Sequence, residues 1–67
     1  MQYTFKEFRE NLNLTQIEMS KSINYSLAYI KKIEAGERKG SIDFWKKIQN
    51  VYNVKNDDIW RLIKNDK

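Results

Sequence analysis

Apolar residues recur at helical spacing in five short stretches of the chain. In the first, Phe5, Phe8 and Leu12 stack on one face, with Arg9 at its edge, and Thr4 with Glu7 three residues later forms a capping box. The second opens with Thr15, has Glu18 in the matching box position, and turns Met19, Ser20 and Ile23 inward while Ile17 falls on the opposite side. The third is capped by Ser26 and runs to Ala35, where Gly36 supplies a left-handed stop. The fourth opens at Ser41, has Asp43 in its first turn, and carries the stripe Trp45, Ile48, Tyr52. The fifth spans about Asn56 to Lys64, with Asp57 and Asp58 at its positive end, Lys64 at its negative end, and Ile59, Leu62 and Ile63 facing inward.

No stretch alternates as a strand would. The joints are short and fall at Asn13, Asn24 and Asn53, with a longer loop over Gly36–Gly40. Asn is the residue other than Gly that best tolerates a left-handed backbone, and each of these stands where a helix should end. The pattern predicts an all-α fold, a compact bundle of five short helices forming one domain over residues 1–67.

The central pair has helix-turn-helix spacing. The second helix ends near Ile23, the turn is Asn24-Tyr25, and the third begins at Ser26. In such a pair the later helix is the one suited to the DNA major groove. With Ile30 at the centre of its buried side, Ile33 and Glu34 lie within about 60° of it by the helical period. Ala28, Lys31, Lys32 and Ala35 point the other way, and Leu27 and Tyr29 sit on the borders. Small residues and two lysines suit entry into a groove lined with phosphates, and no acid interrupts that face.

Composition narrows the function. The 67 residues hold 13 Lys+Arg against 9 Asp+Glu, a net charge of +4. The excess is concentrated: residues 21–47 carry seven basic side chains against Glu34, Glu37 and Asp43, which by itself equals the net charge. A basic stretch of this kind is the footprint expected for nucleic acid, although a merely solvated face fits the charge equally well. With no Cys and no His, thiol nucleophiles, disulfides, the usual general base and the commonest metal ligands are excluded. Asp57 and Asp58 are the one adjacent pair of acids, but neighbours on a helix do not converge on a substrate. The chain is expected not to be an enzyme and to need no cofactor. No apolar run approaches the ~18 residues of a membrane span, and no secretion signal is evident.

The stretch from Leu14-Thr15-Gln16 to Ile33-Glu34-Ala35-Gly36 resembles the phage repressor and Cro type (Xre-like, lambda-repressor-like) helix-turn-helix family. The matching pieces are the Thr-Gln opening of the second helix, Ser26 opening the third, Ile30, and the Ile-Glu-x-Gly ending. Ser41, Trp45, Ile48, Tyr52, Val54 and Ile59 fall at the family's later core positions, so the likeness covers roughly Phe5 to Trp60. The chain departs from the pattern at several places. Asn13, Asn24 and Asn53 stand where Gly is usual. Gly40 replaces a common Pro, which predicts a looser loop. Ser20 replaces a core Ala and needs a hydrogen-bond partner such as a carbonyl. Leu27 and Ala28 replace polar residues that often read bases.

The resemblance implies a sequence-specific, double-stranded DNA-binding transcription regulator, of the kind found as phage, prophage or mobile-element repressors and Cro-like proteins, acting in the cytoplasm of a bacterial cell or phage-infected host. Leu27, Ala28, Lys31 and Lys32 are the candidate base contacts: the first two suit a thymine methyl, the lysines a guanine acceptor or a phosphate. Gln16, Tyr25, Ser26, Tyr29, Arg38 and Lys39 are the candidate phosphate contacts. Competing roles stand beside them. Leu27 equally suits partial burial, Tyr25 and Tyr29 suit packing, and Arg38 and Lys39 suit a solvated loop. The resemblance also implies that Arg9 and Glu34 form a partly buried ion pair with a structural role. Phe44, Val51 and Trp60 are left over from the main stripes. They either widen the core or border a homodimer contact, and Ile17 stands apart from them. A partner protein that controls the chain, or a role as a protein-interaction module such as an antitoxin or adaptor, is the competing reading.

Overall fold

The computed structural model describes residues 4–65. Five helices follow one another: α1 (Phe5–Asn11), α2 (Gln16–Ile23), α3 (Leu27–Glu34), α4 (Ile42–Tyr52) and α5 (Asn56–Asn65). Strands are absent among the described residues.

Local chemistry sets the helix starts. Thr4 and Thr15 each accept a hydrogen bond from the amide three residues on, and the Glu7 and Glu18 carboxylates each accept one from the Thr backbone N–H, so both capping boxes are complete. Ser26 and Ser41 accept from Tyr29 N and Phe44 N, each at 3.1 Å.

The helix ends share one geometry. Asn13, Asn24, Gly36 and Asn53 have φ between 56° and 76°, the left-handed region. In each case the following amide reaches back five residues. Leu14 N donates to Arg9 O, Tyr25 N to Ser20 O, Glu37 N to Lys32 O and Val54 N to Gln49 O, at 2.9–3.3 Å. This six-to-one bond satisfies a carbonyl that the ending helix orphans and turns the chain sharply. Asn therefore does at three corners what Gly does at the fourth.

The five helices enclose one core of Phe5, Phe8, Met19, Ile23, Ile30, Ile33, Phe44, Trp45, Ile48, Ile59 and Leu62. Phe44 is its aromatic hub, with ring centroids of Phe5, Tyr25, Tyr29 and Trp45 all within 5.0–5.5 Å. Ser20, buried in the same region, donates its hydroxyl to Ile17 O at 2.8 Å, the carbonyl partner that its burial requires.

Two expectations need correction. Phe44, placed from sequence at a dimer contact, is fully buried. It lies one turn before Ile48 on the same face, and α4 is packed by neighbours on adjoining sides, so its buried face is wider than the Trp45–Tyr52 stripe. Leu12 does not join the first helix's inner face: the helix stops at Asn11, Leu12 becomes its C-cap, and its side chain is exposed. Gly40 makes a close approach that the sequence did not announce. A Cβ there would sit 2.7 Å from Phe44 Cδ2 and from Trp45 Nε1, so the backbone lies directly against those rings, and the next amide, Ser41 N, donates to the Tyr29 hydroxyl at 3.2 Å.

Candidate nucleic-acid interface

α2 and α3 are each eight residues long and are joined by Asn24, Tyr25 and Ser26. Asn24 makes the left-handed corner, and Ser26 caps α3 at once. Ile23 on one side of the turn and Ile30 and Ile33 on the other are fully buried, so hydrophobic contact locks the angle between the helices.

That burial leaves the opposite face of α3 outside. Ala28, Lys31, Lys32 and Ala35 are exposed, while Leu27 and Tyr29 are half-buried at the edges. The described ion pairs are Arg9–Glu34 and Arg61–Asp58, so neither Lys31 nor Lys32 is tied to a described acid. The first turn of α3 holds no acidic residue, which keeps the positive end of its dipole uncompensated.

The tyrosines are structural as well as peripheral. Tyr25 and Tyr29 pack ring against ring at 5.0 Å, and both rest on Phe44 of α4. The packing expected of Tyr29 is made onto Phe44 of α4. The Tyr29 hydroxyl oxygen takes the Ser41 amide proton, which leaves its own proton available. The Arg38 guanidinium lies over the Tyr29 ring, 5.0 Å from its centroid. Such a contact is worth about 0.5–1 kcal/mol at an exposed site, enough to bias where the side chain rests without immobilising it. Lys39 beside it is exposed. Arg38 thus stands next to the recognition-type helix because Tyr29 joins the loop to it.

Behind this surface lies the Arg9–Glu34 pair. Arg9 Nε donates to Glu34 Oε2 at 2.6 Å and Nη2 to Oε1 at 3.0 Å. The remaining arm, Nη1, donates to Leu14 O at 2.6 Å. Both side chains are about nine-tenths buried or more. The hydrogen bond to Glu34 raises the Arg9 pKa above its ordinary value against the opposing effect of burial, so the guanidinium remains charged. One guanidinium therefore fastens α1, the α1–α2 turn and the end of α3. Gln16, the first residue of α2, adds a contact that periodicity gave no sign of. Its Nε2 donates to Glu34 Oε1 at 3.1 Å.

A family model described as helix-turn-helix matches residues 5–59. The chain belongs to the Xre/Cro-like helix-turn-helix family. An uncharacterized HTH-type transcriptional regulator of Archaeoglobus fulgidus is 35% identical over 60 residues, which span 90% of this chain and 84% of that protein. No solved structure matches.

In this helix-turn-helix chain the sequence-predicted contact residues fall into two neighbouring groups. Leu27, Ala28, Lys31 and Lys32 share α3, with Ser26 at its start and Tyr25 in the turn before it. Arg38 joins them through Tyr29, and Lys39 follows in the loop. Gln16 stands at the start of α2 and reaches the end of α3 through Glu34. Of the leftover apolar residues, Val51 and Trp60 are 42% and 63% exposed and so remain available to a partner, unlike Phe44. Ile42, 76% exposed at the first position of α4, is a further uncovered apolar side chain that the sequence pattern did not single out. Among the described residues no group of acidic, His or Cys side chains could hold a metal ion, and no helix is long and apolar enough to cross a membrane.

Proposed function

We propose that the protein is a sequence-specific double-stranded DNA-binding transcription regulator that inserts α3 into the major groove. The observation that carries this reading is the outward face of α3: Ala28, Lys31 and Lys32 are exposed, free of described acids, and held on a helix whose other side is locked in the core. Lys31 and Lys32 suit guanine acceptors or phosphate, and Leu27 and Ala28 suit a thymine methyl. Lysine is a mobile point charge, so methyl contacts and groove shape carry more of the discrimination than they would beside a bidentate Arg. Gln16, Tyr25, Ser26, Tyr29, Arg38 and Lys39 meet the phosphates on either side and fix the register.

A homodimer through the region of Val51 and Trp60 would present two copies of α3 about 34 Å apart, the spacing of half-sites one DNA turn apart. The chain then acts as a repressor or Cro-like protein, of phage, prophage or mobile-element origin, that covers promoter DNA. Concentration, competition or a partner protein controls it.

Selection of bound duplexes from a random DNA pool at near-physiological salt tests this. An enriched two-fold symmetric motif with half-sites about 10 base pairs apart is the expected result. An unenriched pool would overturn sequence-specific reading. The exposure of Trp60 and Val51 favours a second reading, a protein-interaction module such as an antitoxin or adaptor. Charge reversal of Lys31 and Lys32 separates the two, since it abolishes duplex binding under the first and spares partner binding under the second.

A further inference from the structure

Glu34 accepts three hydrogen bonds from two residues. Arg9 supplies two of them, at 2.6 and 3.0 Å, and Gln16 Nε2 supplies the third, at 3.1 Å. The chemistry of this cluster permits only one arrangement of the Gln16 amide. A carboxylate is an acceptor and a guanidinium a donor, so only the nitrogen end of the amide can face Glu34. The guanidinium holds the Glu34 carboxylate in place, and that guanidinium is held in turn by Leu14 O. A glutamine on an open surface turns either end toward a neighbour. Here one N–H is committed to Glu34, and the other is left with no protein acceptor among the described residues.

We propose that Glu34 is a positioning residue for the nucleic-acid interface: by accepting one Gln16 N–H it fixes the amide, so that the second N–H is presented to a phosphate oxygen. This rests on the reading that Gln16 meets a phosphate. It gives the buried ion pair a second role beside its structural one. Gln16 is half-buried, so its amide lies at the boundary between the cluster and solvent.

The test uses the 15N-labelled full chain and a duplex taken from the selection described above. In the free protein one proton of the Gln16 side-chain amide should be shifted and slow to exchange, as expected for a bond to a carboxylate. Saturating duplex should move the other proton and leave the first in place. Two equivalent, fast-exchanging protons, or a second proton indifferent to duplex, would overturn the proposal, and neither reading depends on a variant folding. Affinity supplies an independent check. Gln16→Met should weaken binding by about ten- to a hundredfold, the range for one lost hydrogen bond to a charged group. Glu34→Gln, whose amide accepts either end of Gln16, should weaken binding to a similar extent at temperatures where circular dichroism shows it folded. Adding Gln16→Met to that variant should then cost nothing further. Independent, multiplicative losses would refute the coupling. If Lys31→Ala and Lys32→Ala abolish binding while Gln16→Met has no effect, the interface stands and the positioning role falls. If none of these variants alters binding, the nucleic-acid reading falls with it.

Discussion

Replacing Arg9 by Met keeps most of the stem's volume and removes the guanidinium. The loss is threefold. Glu34, with only 5% of its side chain exposed, loses the cation that compensates it. Leu14 O loses its 2.6 Å donor, and α1 loses its polar tether to α3. Breaking a buried pair by deleting one partner costs about 3–5 kcal/mol, because the stranded charge stays desolvated. Gln16 Nε2 still donates to Glu34 and offsets a little of this, which places the expectation near the lower end. For a domain of this size each kcal/mol lowers Tm by about 4–8 °C, so a fall of at least ~12 °C is expected. Urea and thermal unfolding, followed by far-UV circular dichroism and by Trp fluorescence, measure it. Asp58→Asn is the internal control. The Asp58–Arg61 pair is 3.8 Å apart and mostly exposed, and such pairs contribute about 0–1 kcal/mol. A cooperative Arg9→Met variant that loses less than about 1 kcal/mol would refute the reasoning, because it would mean that the Glu34 carboxylate finds water once the guanidinium is gone.

Gly40→Ala should destabilise by about 1–3 kcal/mol, since the new methyl must displace the Phe44 and Trp45 rings from contacts of 2.7 Å; thermal melting checks this, and an unchanged Tm would show that the loop backbone can retreat. Asn24→Ala should cost about 1 kcal/mol because the corner requires φ of 60°, whereas Asn24→Gly should be close to neutral in chemical denaturation. Phe44→Ala should cost about 3–5 kcal/mol, while Trp60→Ala should change stability little and instead weaken self-association in analytical ultracentrifugation; an unaltered sedimentation profile would remove Trp60 from any dimer contact. Each of Lys31→Ala and Lys32→Ala that removes a phosphate contact should lower the slope of log affinity against log salt by about 1, read by fluorescence anisotropy across a salt series.

Much of this was legible in the sequence because the governing interactions are local. The Thr4–Glu7 and Thr15–Glu18 boxes, the serine caps and the asparagine corners each depend on residues within about five positions of one another, and all appear in the structure. The outward face of α3 was legible for a related reason: Ile30 and Ile33 fix its rotation. Errors arose where a non-local fact decides. Leu12 shares a period with Phe5 and Phe8, but the period lapses once the helix has ended. Phe44 belongs to the same face as Ile48, and how many neighbours surround α4 is not written in α4. The two aromatic rings against Gly40 are likewise not announced by the residues beside it. The Gln16–Glu34 bond spans 18 residues and joins the first residue of one helix to the last of another, so no spacing rule announces it.

The left-handed corners also divide the kinds of change this chain can absorb. The α2–α3 corner closes in three residues, so the rotational phase of α3 relative to α2 is set by a count of residues. One residue inserted at Asn24-Tyr25 would turn α3 by about 100°, bringing lysines toward the core and isoleucines toward water. Replacing Ala28, Lys31 or Lys32 disturbs no buried contact, because those side chains lie outside. Length is therefore the rigid variable in this chain and identity on the outer face of α3 the free one. A lineage built on this plan can rewrite what it recognises by point substitution, while a single-codon insertion or deletion at the α2–α3 corner turns the reading face away.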